Sequence, residues 1–210
     1  MEYNFVAVEG NIGAGKTSLT RKIASDLNGR LIQEQFAENA FLPKFYREPA
    51  KYAFPLELSF LAERYQQMKT QLPGQELFSD FTISDYLFDK SLIFARENLE
   101  GDLFHLFRNF FNILKSSLPK PGLILYLFAD VEQLMGNIRK RGRAYEKNIR
   151  PEYLQAIQKG YLRHFETLRE SRILILDINH FDFIGSDKNY LTILEIIGQK
   201  YNPGIHHIKP

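Results

Sequence analysis

Gly10-Asn11-Ile12-Gly13-Ala14-Gly15-Lys16-Thr17 fills every position of the pattern G-x-x-x-x-G-K-[ST], close behind the apolar run Phe5-Val6-Ala7-Val8. Ser18-Leu19-Thr20-Arg21-Lys22-Ile23-Ala24 then reads as a helix. A strand that feeds a glycine-rich loop and then a helix turns backbone N–H groups around phosphate oxygens and sets the positive helix end on the anion. The loop from Gly10 through Asn11, Ile12, Gly13, Ala14, Gly15, Lys16, Thr17 and Ser18 is therefore expected to cradle phosphates. Lys16 would bridge the β- and γ-phosphates, and the Thr17 hydroxyl would ligate Mg²⁺.

The rest of the chain supplies a sheet around that loop. Apolar segments at 30–34, 77–85, 123–128 and 172–177 alternate with helical patterns, so the expectation is an α/β fold with a five-stranded parallel sheet flanked by helices. Leu123-Ile124-Leu125-Tyr126-Leu127-Phe128 is apolar without alternation, as a strand buried on both faces should be. Helices are expected over 55–71, 87–99, 131–140, 151–169 and 189–200. Phe104, Phe107, Phe111, Leu114 and Leu118 recur at steps of three and four, which marks one helix face, either core or a helix-pair dimer face.

The totals set limits. A chain of 210 residues, 44% hydrophobic and without a long Gly/Ser/Pro linker, suits one domain, read here as 1–201 followed by a loosely ordered tail at 202–210. A formal charge of +2 is too small to imply general binding to nucleic acid or membrane. There are no cysteines, so disulfides and thiolate metal sites are excluded. The start lacks signal-peptide character and no apolar run approaches the ~20 residues of a membrane span, so the expected setting is cytoplasmic. The five histidines show no metal-ligand spacing.

Further motifs follow in order: Glu34 at the end of the second strand, Asn39-Ala40-Phe41-Leu42-Pro43-Lys44-Phe45-Tyr46-Arg47-Glu48-Pro49, Tyr52-Ala53-Phe54-Pro55-Leu56-Glu57, Leu92-Ile93-Phe94-Ala95 and Arg141-Gly142-Arg143-Ala144-Tyr145-Glu146. Together they resemble the deoxynucleoside kinase family, over nearly the whole chain from Val8 to about Phe183. The resemblance implies a P-loop kinase fold with a basic lid, and a usually dimeric nucleoside 5′-kinase of nucleotide salvage that uses ATP and Mg²⁺. Under it, Glu34 matches the general base for the 5′-hydroxyl, and Arg141 and Arg143 match a lid that meets the charge growing on the transferred phosphoryl group. Tyr46 and Glu146 match the pair that holds the sugar 3′-hydroxyl. Phe94 matches the aromatic that stacks on the base, with Leu56 and Glu57 beside it. Asp85, at the end of the third strand, is placed to reach Mg²⁺ opposite Thr17, or to cap the following helix, or both.

Three positions depart from the family pattern. Its Glu/Asp-Arg-Ser is here Asp85-Tyr86-Leu87, so an arginine is missing, and Lys90 or Arg96 is the candidate substitute. The first lid arginine falls at Asn137, near Arg139. Glu57 stands where a glutamine usually reads the base, and an ionised glutamate only accepts hydrogen bonds. Guanine, with adjacent N1–H and 2-amino donors, suits a carboxylate; adenine and cytosine pair a donor with an acceptor and need the acid protonated or a water between. The bacterial members most resembled favour purines, so the expected substrate is deoxyadenosine or deoxyguanosine. The rival readings are a thymidylate-type nucleoside monophosphate kinase and a non-catalytic nucleotide-binding scaffold.

Overall fold

The computed structural model describes residues 1–35, 39–72 and 79–210. Six strands form one parallel sheet: β1 (Phe5–Gly10), β2 (Gly29–Ile32), β3 (Phe81–Ser84), β4 (Leu123–Phe128), β5 (Arg172–Asp177) and β6 (Gly204–Ile208), in the spatial order β2-β3-β1-β4-β5-β6. Val6 and Val8 of β1, with Leu123, Leu125 and Leu127 of β4, pack on one face. Ala7, Ile124 and Tyr126 pack on the other. Both faces are covered, which is why the β4 sequence shows no alternation.

Helices α1 (Lys16–Asp26), α6 (Val131–Arg141) and α8 (Asp187–Ile197) contribute to the first face. The opposite side carries α3 (Pro49–Gln71), α4 (Lys90–Asn98), α5 (Gly101–Lys115) and α7 (Pro151–Phe165); the short helix α2 (Leu42–Phe45) packs on α3. Among the described residues no helix is long and apolar enough to cross a membrane.

The sheet has six strands rather than the expected five, because the tail is not loose. Gly204 to Ile208 extends along β5 from Arg172↔Gly204 to Leu176↔Ile208. The turn before it is tied down where Arg172 Nε donates to the Tyr201 carbonyl at 2.7 Å and the Tyr201 N–H donates to the Tyr3 hydroxyl at 2.9 Å. A short edge strand behind Pro203-Gly204 draws its order from backbone pairing, which composition does not report.

Helix starts also differ, at Asp187 in place of the expected Asn189 and by more in two other helices. The third helix begins at Pro49, in its first turn, and carries Pro55 inside it. The fourth begins at Lys90 instead of Leu87: the Leu87 and Phe88 carbonyls accept the Lys90 and Ser91 N–H groups at 2.9 and 3.1 Å, the i→i+3 bonds of a turn, and the Leu87 N–H donates to Glu9 Oε1 at 2.6 Å. The expected strand 77–85 is observed as 81–84, and its Leu77 and Phe78 lie outside the described residues.

The α5 stripe read from the sequence is core: Phe107 and Phe111 are buried, and Phe104, Leu114 and Leu118 pack against them. The same helix shows a second apolar stripe to solvent, Leu103, Leu106, Phe110 and Ile113, with Ile113 69% exposed.

Candidate active site

The carboxyl ends of the parallel strands converge on one side of the sheet, where α/β proteins place their ligands. The glycine-rich loop follows β1, Glu34 follows β2, Asp85 follows β3 and α6 follows β4. The loop depends on its glycines: Gly13 has φ +87°, and a Cβ there would lie 2.9 Å from the Leu134 carbonyl. Asn11 is buried and faces inward, its Nδ2 donating to the Leu154 carbonyl at 2.7 Å, so its side chain braces the loop against α7. Asn137, at the family's first lid-arginine position, donates to the Gly13 carbonyl at 2.9 Å and braces the loop from α6. Gly13, Gly15, Lys16, Thr17 and Ser18 line a groove with Lys140, Arg141 and Arg143. Gly10 and Ala14 are buried beneath it.

The groove adjoins a deeper cleft. Ile12, Gly13, Lys16, Thr17, Glu34 and Asp85 line one end; Tyr46, Leu56, Glu57, Phe94, Arg141, Arg143 and Glu146 line the rest. Every residue expected to act on the acceptor is thus in one cavity. Thr17 Oγ1 donates to Asp85 Oδ2 at 2.6 Å, and Asp85 Oδ1 accepts the Glu34 N–H at 2.7 Å. Asp85 caps no helix; each of its oxygens takes one of these contacts and keeps a second lone pair. Burial pushes its carboxyl up, against the pull of these hydrogen bonds. Lys16 Nζ donates to the Gly10 and Asn11 carbonyls at 2.8 and 3.0 Å. Burial and the nearby Lys90 charge lower its pKa to about 8.

Glu34 is the most heavily engaged group. Arg64 donates to its Oε1 through Nε at 2.8 Å and Nη2 at 2.6 Å, and Lys90 Nζ donates to Oε2 at 2.6 Å. Burial alone would raise this carboxyl, but the charges and hydrogen bonds of Lys90 and Arg64 outweigh it and bring the pKa to about 2. Of the two candidates for the missing arginine's charge, Lys90 is the one in contact with Glu34. Arg96 is not: it is exposed, with its guanidinium 5.6 Å from the Phe104 ring centroid. Tyr86, at the arginine's own position, is buried and donates to Gln67 Oε1 at 2.8 Å.

At the other end Glu57 is 2% exposed. Its Oε1 accepts Asn98 Nδ2 at 2.6 Å, and its Oε2, equally buried, has no hydrogen-bond partner among the described residues. Burial lifts its pKa to about 7, more than the Asn98 hydrogen bond and the more distant Arg64 and Lys90 charges lower it. Phe94, in the wall between, meets Tyr161 edge-on at 6.4 Å. Glu146 is buried and accepts Arg141 Nη2 at 2.6 Å and Arg143 Nη1 at 3.3 Å. The two arginines reach it because α6 ends on Gly142 at φ +71°, which turns the chain back over the cleft. Tyr46 stacks on Tyr145, ring centroids 6.2 Å apart.

Arg64 and Asn98 were not singled out in the sequence. Both were reachable by helical spacing: Arg64 lies two turns beyond Glu57 on α3, and Lys90, Phe94 and Asn98 fall at i, i+4 and i+8 on α4. Glu9 was also missed. Its buried carboxylate joins β1 to the Leu87 N–H and to Tyr161 Oη, at 2.6 and 2.9 Å, and so ties the sheet to α7 beneath the cleft.

The family model for deoxynucleoside kinase matches residues 6–201. A deoxyguanosine kinase of Bacillus subtilis (strain 168) is 33% identical over 193 residues, which cover 90% of this chain and 93% of that one. A deoxyadenosine/deoxycytidine kinase of the same organism is 25% identical over 201 residues, 92% of this chain and 91% of that one. The solved structure of a deoxyadenosine kinase from M. mycoides with bound dATP superposes with a TM-score of 0.80 at 20% identity, over 93% of this chain and 99% of that one.

Proposed function

Because this chain belongs to the deoxynucleoside kinase family and is an ATP-dependent phosphotransferase, we propose that it moves the γ-phosphate of ATP to the 5′-hydroxyl of a purine deoxynucleoside, in salvage within the cytoplasm. The observation that carries this reading is the single cleft, which runs from Lys16, Thr17 and Asp85 past Glu34 to Phe94 and Glu57. ATP phosphates lie in the loop groove and the nucleoside lies in the cleft. Its sugar 3′-hydroxyl meets Tyr46 and Glu146, its base lies on Phe94 with its edge at Glu57, and its 5′-hydroxyl points at Glu34.

With a pKa near 2, Glu34 is ionised at any working pH. It first aligns the 5′-hydroxyl as a hydrogen-bond acceptor, and takes the proton only when the forming P–O bond makes that oxygen strongly acidic. Lys90 and Arg64 hold the carboxylate in place. Arg141 and Arg143, within reach of both groove and cleft, meet the charge on the phosphoryl group in transfer. Thr17 and Asp85 offer adjacent oxygens for Mg²⁺, an ion that takes few protein ligands and completes its shell with phosphate and water. When bound, it neutralises phosphate charge.

A second copy of the chain is the partner we assign to the exposed α5 stripe. Leu103, Leu106, Phe110 and Ile113 make a contiguous apolar face of the kind that helix pairing covers. Sedimentation of wild type against a Leu106→Glu, Phe110→Glu double variant tests this, with a dimer expected to become a monomer.

The function itself is tested by ATP consumption against a panel of nucleosides and nucleoside monophosphates. Deoxyadenosine or deoxyguanosine should be turned over best, and monophosphates hardly at all. Preference for thymidine monophosphate would replace this reading with a monophosphate kinase, which needs cations for a second acceptor phosphate. Here Arg64 and Lys90 are already paired with Glu34.

A further inference from the structure

Glu57 Oε2 is a buried carboxylate oxygen in the wall of the cleft with no hydrogen-bond partner among the described residues, while its twin is held by Asn98 at 2.6 Å. A buried acceptor left unpaired is costly, and its place in a substrate cavity means that the partner is supplied by what binds there. The Asn98 amide fixes the carboxyl plane and uses one lone pair of Oε1, leaving the other, with both of Oε2, for a ligand edge that brings two adjacent donors.

Resting on the assignment of this cleft to a purine deoxynucleoside, we propose that Glu57 and Asn98 choose between purines by charge. The ionised carboxylate takes the N1–H and 2-amino group of guanine, and the protonated carboxyl donates to N1 and accepts from N6 of adenine. Guanine N1–H and N2–H both donate and match two acceptor oxygens. Adenine brings one donor and one acceptor, so it meets an ionised Glu57 with two lone pairs face to face.

The surroundings make both states accessible near neutrality. Burial raises the carboxyl to about 7, while the Asn98 amide, Arg64 from its own helix and Lys90 from α4 pull it down and Glu34 pushes it up. Tyr153 of α7 and Tyr46 also face it, and both phenols are raised well clear of neutral pH by burial. Glu57 is then the group whose charge changes between pH 6 and 8 at the base end. Lys16, at about 8, titrates at the phosphate end, where it acts on both nucleosides alike and cancels in their ratio.

The test is kcat/KM for deoxyguanosine, deoxyadenosine and deoxyinosine from pH 6 to 8.5. The ratio of deoxyguanosine to deoxyadenosine should rise by about ten- to hundred-fold between pH 6 and 8, because each purine draws on one protonation state of the free enzyme. Deoxyinosine keeps N1–H but lacks the 2-amino group, and should fall about tenfold below deoxyguanosine at pH 8. In Glu57→Gln, with one donor and one acceptor at every pH, the ratio should become flat and shift toward deoxyadenosine. In Asn98→Ala the midpoints of the separate deoxyguanosine and deoxyadenosine kcat/KM profiles should move to higher pH, since the amide stabilises the charged form. Activity on neither purine would overturn the function and this inference together. Activity with a pH-independent ratio, and deoxyinosine equal to deoxyguanosine, would overturn the inference alone and needs no variant to show it; an unmoved midpoint in Asn98→Ala would remove Asn98 from the pair.

Discussion

The cleft has a glutamate at each end, both largely removed from water, and they are held in opposite ways. Glu34, with its side chain 10% exposed, has two cations on it and sits near pKa 2; Glu57, 2% exposed, has one neutral amide and sits near 7. Burial pushes both upward. What separates them is whether a cation lies within hydrogen-bonding distance: Lys90 Nζ reaches Glu34 Oε2 at 2.6 Å, whereas at that range Glu57 meets the neutral Asn98 amide. One fold thus builds a permanently charged acceptor where chemistry is proposed and a titratable one where the base is proposed to be read.

If the cation-rich end performs the transfer, the largest loss should come from its loop. Lys16→Ala should bring nucleoside phosphorylation to background, because the β- and γ-phosphates lose the loop's only side-chain charge. Substantial turnover in that variant would move the phosphate site elsewhere. Glu34→Gln comes next, with kcat lower by ~10²-fold or more and a smaller change in nucleoside KM, since the variant loses the proton acceptor together with the charge that holds Arg64 and Lys90. A near-normal kcat would leave Glu34 as a structural anchor for Arg64 and Lys90 and erase the functional side of the contrast.

Arg141→Ala and Arg143→Ala sharpen the boundary between the ends, because both arginines hold Glu146 and also line the phosphate groove. If their main work is on the phosphoryl group, steady-state kinetics should show kcat falling by ~10²-fold with a smaller change in KM. A rise in KM alone would assign them to the sugar through Glu146.

The contrast was only half legible in the sequence. Local signals, such as the glycine loop and the apolar run of β4, carry their own geometry, and those elements stand where spacing put them; the strand expected to close on Glu34 stops at Ile32 and leaves Glu34 just beyond it. Glu57 could be placed on a helix next to Leu56 and recognised as chemically odd, but its partner Asn98 lies on another helix, across the cleft. The identity of Lys90 as the substitute cation was likewise undetermined between two basic residues of one helix, until packing turned Arg96 outward onto Phe104. Pairings between elements, and an edge strand held by its neighbour's backbone, are tertiary facts with no local signature.

The smallest effect concerns stability and does not depend on any ligand. Glu57 rises from 4.5 to about 7 on folding, so the folded chain binds a proton that the unfolded chain has released. Its favourable contribution is complete below pH 4.5 and is lost as pH climbs through 7. Glu34 runs the other way: depressed to about 2, it stabilises above 4.5 and loses that contribution only as pH falls toward 2. Between pH 5 and 8.5 Glu34 is therefore silent and Glu57 changes. Denaturant unfolding of wild type and Glu57→Gln at those two pH values should show the wild type losing ~1–3 kcal/mol more than the variant on going from 5 to 8.5, since a tenfold difference in proton affinity between folded and unfolded chain is worth ~1.4 kcal/mol. Other groups titrating in that interval are common to both proteins and cancel in the difference. An identical loss in both would mean that Glu57 folds with its charge already satisfied, and the two ends of the cleft would then be alike.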